Sequence, residues 1–141
     1  MRVFFDTNVY VAEAILGGAA GRMVEATARI RWRILCSEYV LDEAQRVLVE
    51  KLQFSPRLGQ LSRARIRRRA QLVVTPASKH QVLGDPADPP ILAAAVSGGV
   101  DLLVTNDAHL LNLYPYQGLR TVSMADYRQL LVDGGHLPHA E

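Results

Sequence analysis

A chain of 141 residues, 49% hydrophobic and 21% charged, is long enough to bury one ordinary globular core and needs no second domain. No apolar run approaches the roughly 20 residues of a membrane span, and the opening MRVFFDTN turns polar too soon for a secretory signal. The expected location is therefore cytoplasmic with no membrane partner, and the single Cys36 reads as a small buried hydrophobe of a reducing compartment.

The chain opens on a short apolar strand, residues 2–5, followed by a helix that Asn8 can cap and that ends at Gly17 and Gly18. Residues 22–30 place Met23, Ala26 and Ile30 at helical spacing, and 32–36 read as the next strand. Ser37 is positioned to cap a long amphipathic helix to about residue 53, with Val40, Leu41, Ala44, Val47 and Leu48 inward and Glu43 offset from that stripe. Ser55 and Pro56 restart a helix. A strand is predicted at 72–74 and a polar loop from Pro76 to Asp88. An alanine-rich helix follows at 91–96, stopping at Gly98 and Gly99. A buried strand at 101–105, a short helix at 108–113, a strand at 120–123 and a helix at 125–132 complete the pattern. The predicted domain spans residues 1–133, and 134–141 read as a frayed tail. Because strands alternate with helices throughout, the expected fold is a three-layer α/β/α sandwich with a central, mainly parallel sheet.

Four acids then stand out: Asp6, Glu43, Asp88 and Asp107. Asp6 and Asp107 follow predicted strands, Asp88 opens a helix, and the helix holding Glu43 starts from the second strand. Open α/β sheets place ligands at that edge. Each acid also has a plain structural role open to it: Asp6, Asp88 and Asp107 as helix caps, Glu43 as a solvent-facing residue. Asp85 sits in a Gly-Asp-Pro turn and reads as a turn former or an outer support. Carboxylates gathered at one edge repel unless a cation joins them, and Mg²⁺ or Mn²⁺, one or two ions, are the hard cations that oxygen donors favour. Zinc is not expected, since His80, His109, His136 and His139 lack thiolate partners. The glycines at 17, 18 and 21 lack the ending of a phosphate loop.

Net charge is only +2, yet 14 of the 16 basic residues are arginine, and five of them, Arg63, Arg65, Arg67, Arg68 and Arg69, are clustered. Guanidinium groups clasp phosphate in a bidentate fork, so the cluster reads as a candidate contact to a nucleic-acid backbone. A solvated helix face is the plain alternative.

The stretches Phe4-Phe-Asp-Thr-Asn8, Ser37 through Glu43 to Leu48, Asp85-Pro-Ala-Asp-Pro-Pro-Ile-Leu-Ala-Ala-Ala95 and Leu103-Val-Thr-Asn-Asp107 resemble the successive motifs of PIN domains. They are most similar to those of bacterial toxin-antitoxin toxins related to VapC. The resemblance implies a Mg²⁺- or Mn²⁺-dependent ribonuclease with Asp6, Glu43, Asp88 and Asp107 as its acids and Asn8 and Thr105 as supporting polar residues. It also implies a homodimer and a small antitoxin partner. Ala87 and the pair Pro89-Pro90 depart from that branch's pattern and bear on how Asp88 is presented. In this reading Asp6, Asp88 and Asp107 hold the metal, Glu43 completes its shell or orients the attacking water, and hydrolysis leaves 5′-phosphate and 3′-hydroxyl ends. Two alternatives are a non-catalytic RNA- or protein-binding module and a haloacid-dehalogenase-like phosphatase. The phosphatase would need a catalytic lysine, and neither Lys51 nor Lys79 is expected in position.

Overall fold

The computed structural model describes residues 1–74, 90–112 and 118–139. Within them lie five strands, β1 (Arg2–Phe5), β2 (Arg33–Cys36), β3 (Ala70–Leu72), β4 (Leu102–Val104) and β5 (Arg120–Val122). Seven α-helices accompany them: α1 (Thr7–Leu16), α2 (Gly18–Arg29), α3 (Glu38–Arg46), α4 (Pro56–Arg69), α5 (Pro90–Ser97), α6 (Ala108–Leu111) and α7 (Met124–Asp133). Among the described residues, no helix is long and apolar enough to cross a membrane.

All strand pairs are parallel, and the order is β3-β2-β1-β4-β5. The inner strands are apolar without alternation because a parallel sheet covered on both faces offers no wet side. Val3, Phe4 and Phe5 are fully buried, as is Leu103, and Phe4 sits opposite both Leu35 and Leu103 in register. Successive crossovers step from β1 outward to β3, then return past β1 to β4. Right-handed connections send these two sets of helices to opposite faces. The fold is thus the expected α/β/α sandwich, with its topological switch between β1 and β4.

The ring edges of Tyr10 and Tyr127 meet Phe5 at centroid distances of 5.9 and 5.6 Å. Thr27 gives its only hydroxyl proton to the Met23 carbonyl at 2.7 Å, so Tyr127 is the donor in the 2.6 Å contact between the two hydroxyls. Cys36 is buried, and burial pushes its thiol pKa up to about 12. Beyond α7, His136 sets its ring against Trp32 at 5.9 Å, and Leu137 packs on the core.

Element boundaries shift from expectation in places with physical reasons. Asp6, not Asn8, caps α1, because its carboxylate accepts from the Thr7 N–H at 2.7 Å. Helix α2 begins at Gly18 rather than residue 22, since Gly17 adopts φ +64° and turns the chain at once from α1 into α2. Ser37 caps α3 as expected, but the long helix loosens at residues 47–51 into a π-helical turn, with Leu52 N–H donating to the Val47 carbonyl at 3.0 Å. Strand β3 occupies Ala70–Leu72, starting two residues before the predicted position.

Candidate active site

The backbone of Asp6 is locked at the end of β1: its N–H donates to the Val104 carbonyl at 2.9 Å, continuing the ladder with β4. Across the switch point, Thr105 N–H donates to the Val122 carbonyl at 2.9 Å, which fixes the end of β4 against β5. The side chains of these two anchored residues meet. Thr105 Oγ1 donates to Asp6 Oδ2 at 2.5 Å and accepts from the Asp107 N–H at 2.9 Å. Asp107 in turn caps α6 through the His109 N–H at 2.8 Å.

Glu43 reaches the same place from α3. Tyr39, one turn earlier, donates its hydroxyl to Glu43 Oε2 at 3.1 Å, and Arg46 stands 3.8 Å from that oxygen. Asp6, Asn8, Glu43 and Asp107 all line one cavity of about 300 Å³, with Thr7, Tyr39, Arg46, Val47 and Lys51 also in its wall. Open parallel sheets bind ligands in this position, outside the carboxyl ends of the strands at the switch.

Burial sets the electrostatics of Asp6 first, and the neighbouring anions add to it. Burial raises the Asp6 pKa above its ordinary 3.8; the hydrogen bonds from Thr105 and Thr7 oppose this, and the charges of Glu43 and Asp107 add to it. Burial also raises the Tyr39 hydroxyl, with the Glu43 bond adding to it, so Tyr39 acts as a neutral donor.

Every candidate ligand offers oxygen. Thr7 Oγ1 adds another, being buried with no hydrogen-bond partner among the described residues. Among the described residues no three Asp, Glu, His or Cys side chains stand close enough to enclose a cation alone. Magnesium does not require such a cage, since it binds through one or two carboxylates and retains water. The residues present fit a hard divalent cation.

Asp85, Asp88 and their neighbours Ala87 and Pro89 lie outside the described residues, as do His80 and Lys79. The clustered arginines are absent from the cavity wall. Arg63 bonds Glu38 at 2.7 Å and Asp42 at 2.8 Å, while Arg69 holds both oxygens of Glu13 at 2.7 and 2.8 Å. Arg65 lies 3.4 Å from Glu13, and Arg67 and Arg68 are exposed. Sequence reasoning missed Thr7, Tyr39 and Arg46 and misjudged Lys51, which does reach the cavity. Helical spacing of Tyr39 and Arg46 about Glu43 was the available signal.

An α/β/α domain with acids from β1, α3 and β4 meeting at the sheet switch defines the structural class. Residues 2–109 match the PIN domain model, and the chain belongs to the PIN domain family, a family of nucleases. The fold is similar to the crystal structure of VapBC2 from Rickettsia felis bound to a DNA fragment from their promoter. That match has a TM-score of 0.65 and 16% identity, covering 87% of this chain and 98% of the other. No curated protein matches the sequence.

Proposed function

We propose that this chain is a Mg²⁺- or Mn²⁺-dependent endoribonuclease acting as the toxin of a type II toxin-antitoxin pair. The observation that carries the nuclease reading is the convergence of Asp6, Glu43 and Asp107, from three distant segments, on one cavity. The toxin reading rests on the PIN family and on the VapBC2 likeness, and brings with it a small antitoxin partner, a homodimer and a cytoplasmic location. We also propose one nuclease domain over residues 1–133 with 134–141 as its tail.

Asp6 and Asp107, with Asp88, would hold the cation or cations, directly or through water. When bound, the cation supplies a more acidic water and a counter-charge for the phosphoryl oxygens. Thr105 donating to Oδ2 and the Thr7 N–H donating to Oδ1 fix Asp6 in the cavity wall, and each oxygen retains lone-pair capacity for a cation or its water. Glu43 is placed to accept a proton from an attacking water, and Tyr39 restrains its carboxylate. Asn8 offers an exposed amide at the same wall, and Asp85 would support Asp88. Arg67 and Arg68, exposed residues of the cluster, would contact an RNA backbone.

The test is cleavage of labelled single-stranded RNA with Mg²⁺ or Mn²⁺, comparing wild type with Asp6→Asn and running a phosphomonoester alongside. Wild type should cut the RNA with the ion present, the variant should lose at least about a hundredfold in rate, and the phosphomonoester should survive. RNA left intact with every divalent ion would reject the enzyme and leave a binding module.

A further inference from the structure

Two cations share the wall of the acidic cavity, Arg46 at the end of α3 and Lys51 at the end of the π-helical turn. Neither belongs to the arginine cluster. Cations beside acids often serve only to neutralise them, so the bonding of each arginine decides what it is free to do. Arg69 is 12% exposed and grips a Glu13 that is 3% exposed; releasing it would leave that buried carboxylate only the longer contact to Arg65 at 3.4 Å. Arg63 makes two contacts under 3 Å to Glu38 and Asp42. Arg46 is 49% exposed, and its contact to Glu43 is long, at 3.8 Å. An exposed pair at that distance is worth little, and its guanidinium can turn to another anion at small cost.

Lys51 is exposed and stands four residues after Val47 on the same wall. Val47 and Lys51, the first and last residues of the widened turn, both line the cavity, and π-turns of this kind recur at functional sites. A substrate approaching these acids brings its own negative charge, and cations at the rim lower that barrier.

We propose that Arg46 and Lys51 grip the phosphates on either side of the bond held in the cavity, making this pair the principal backbone contact of a single-stranded polynucleotide. The inference rests on the nuclease reading above and adds to it the residues that hold the substrate. Arg46 gives a forked contact and Lys51 a point charge. Both bind phosphate without reading base identity.

Fluorescence anisotropy of a labelled single-stranded RNA tests this in the Asp6→Asn protein with Mg²⁺, the RNA being checked as intact afterwards. The double variant Arg46→Gln/Lys51→Gln should bind about tenfold more weakly, with the slope of log K against log salt shallower by about 1.4, or about 0.7 for each phosphate that is no longer neutralised. Arg33→Gln/Arg120→Gln removes the same charge at the opposite, amino-terminal end of β2 and β5 and should leave the slope unchanged. Arg46→Lys/Lys51→Arg should restore the slope, which a merely folded-state role would not require, and thermal melts verify that each variant is folded. Equal losses in the two glutamine doubles would overturn the assignment while leaving the nuclease reading in place. An absence of RNA binding in the Asp6→Asn parent would overturn the assignment as well, whereas the nuclease reading stands or falls on the wild-type cleavage assay.

Discussion

Thr105 controls how Asp6 carries charge. Its oxygen already accepts the Asp107 N–H, and its single proton goes to Asp6 Oδ2, so the direction of both bonds is set. Burial favours the neutral acid, Thr105 and Thr7 favour the carboxylate, and the neighbouring acids favour neutrality again; the balance lies above 3.8. A carboxyl that holds its proton more tightly when folded contributes stability below its unfolded pKa of 3.8, and loses that contribution as pH rises through the folded value. Above that window the ion persists at a cost that a cation would offset. Thr105→Val removes a donor that serves only the ionised form, so the acidic limb of metal-dependent cleavage should move to higher pH, while Thr105→Ser should retain the wild-type limb. Because Thr105 is fully buried, the valine variant should also lose about 1–2 kcal/mol of folding free energy. A pH-rate profile paired with urea melts checks this, and an unmoved limb in the valine variant would remove Thr105 from the site.

Helix α4 shows why a charge run is ambiguous in sequence. Arg63 and Arg69 find their acids 21 to 56 positions away along the chain, so periodicity alone could not separate a solvated face from a set of ties between helices. The two ends differ in kind. Arg63 joins α4 to exposed Glu38 and Asp42 on α3, whereas Arg69 joins it to the buried Glu13 of α1. Arg69→Met removes both short contacts of Glu13 and leaves it only Arg65 at 3.4 Å, so it should cost about 2–3 kcal/mol, and Arg63→Met about 1 kcal/mol or less. Chemical denaturation of the two single variants distinguishes these expectations. Restoration of stability by adding Glu13→Leu to Arg69→Met would identify the buried carboxylate as the cause.

At the scale of the whole molecule, the inner strands were legible because burial on both faces writes them as unbroken apolar runs. The edge strand β3 was placed late, since Ala70, Gln71 and Leu72 form no such run. Strand order was not legible: β1 lies beside β4 through pairs such as Val3 with Leu102, a contact that no local pattern encodes. The acids near strand ends could be grouped because a parallel sheet brings those ends to one edge, whereas Tyr39, Arg46 and Lys51 depend on how α3 and its π-turn lie over that edge.

The same convergence would make the proposed metal binding a property of the entire fold. Asp6, Glu43 and Asp107 come from opposite sides of the switch and from α3, so a cation held among them ties together segments that separate on unfolding. Binding to the folded state alone adds about 2.7 kcal/mol at a hundredfold excess over Kd. For a chain of this size, that is a rise in Tm of several degrees, at roughly 2–4 °C per kcal/mol. The rise should shrink as pH falls, because protons compete for a carboxyl whose pKa is already raised. Asp6→Asn and Asp107→Asn should each reduce it, by removing a charge from the site. Differential scanning calorimetry with Mg²⁺ and Mn²⁺ across neutral and acidic pH is the measurement. A Tm that ignores both ions in wild type would mean that these acids do not share a cation, however closely the sheet edge gathers them.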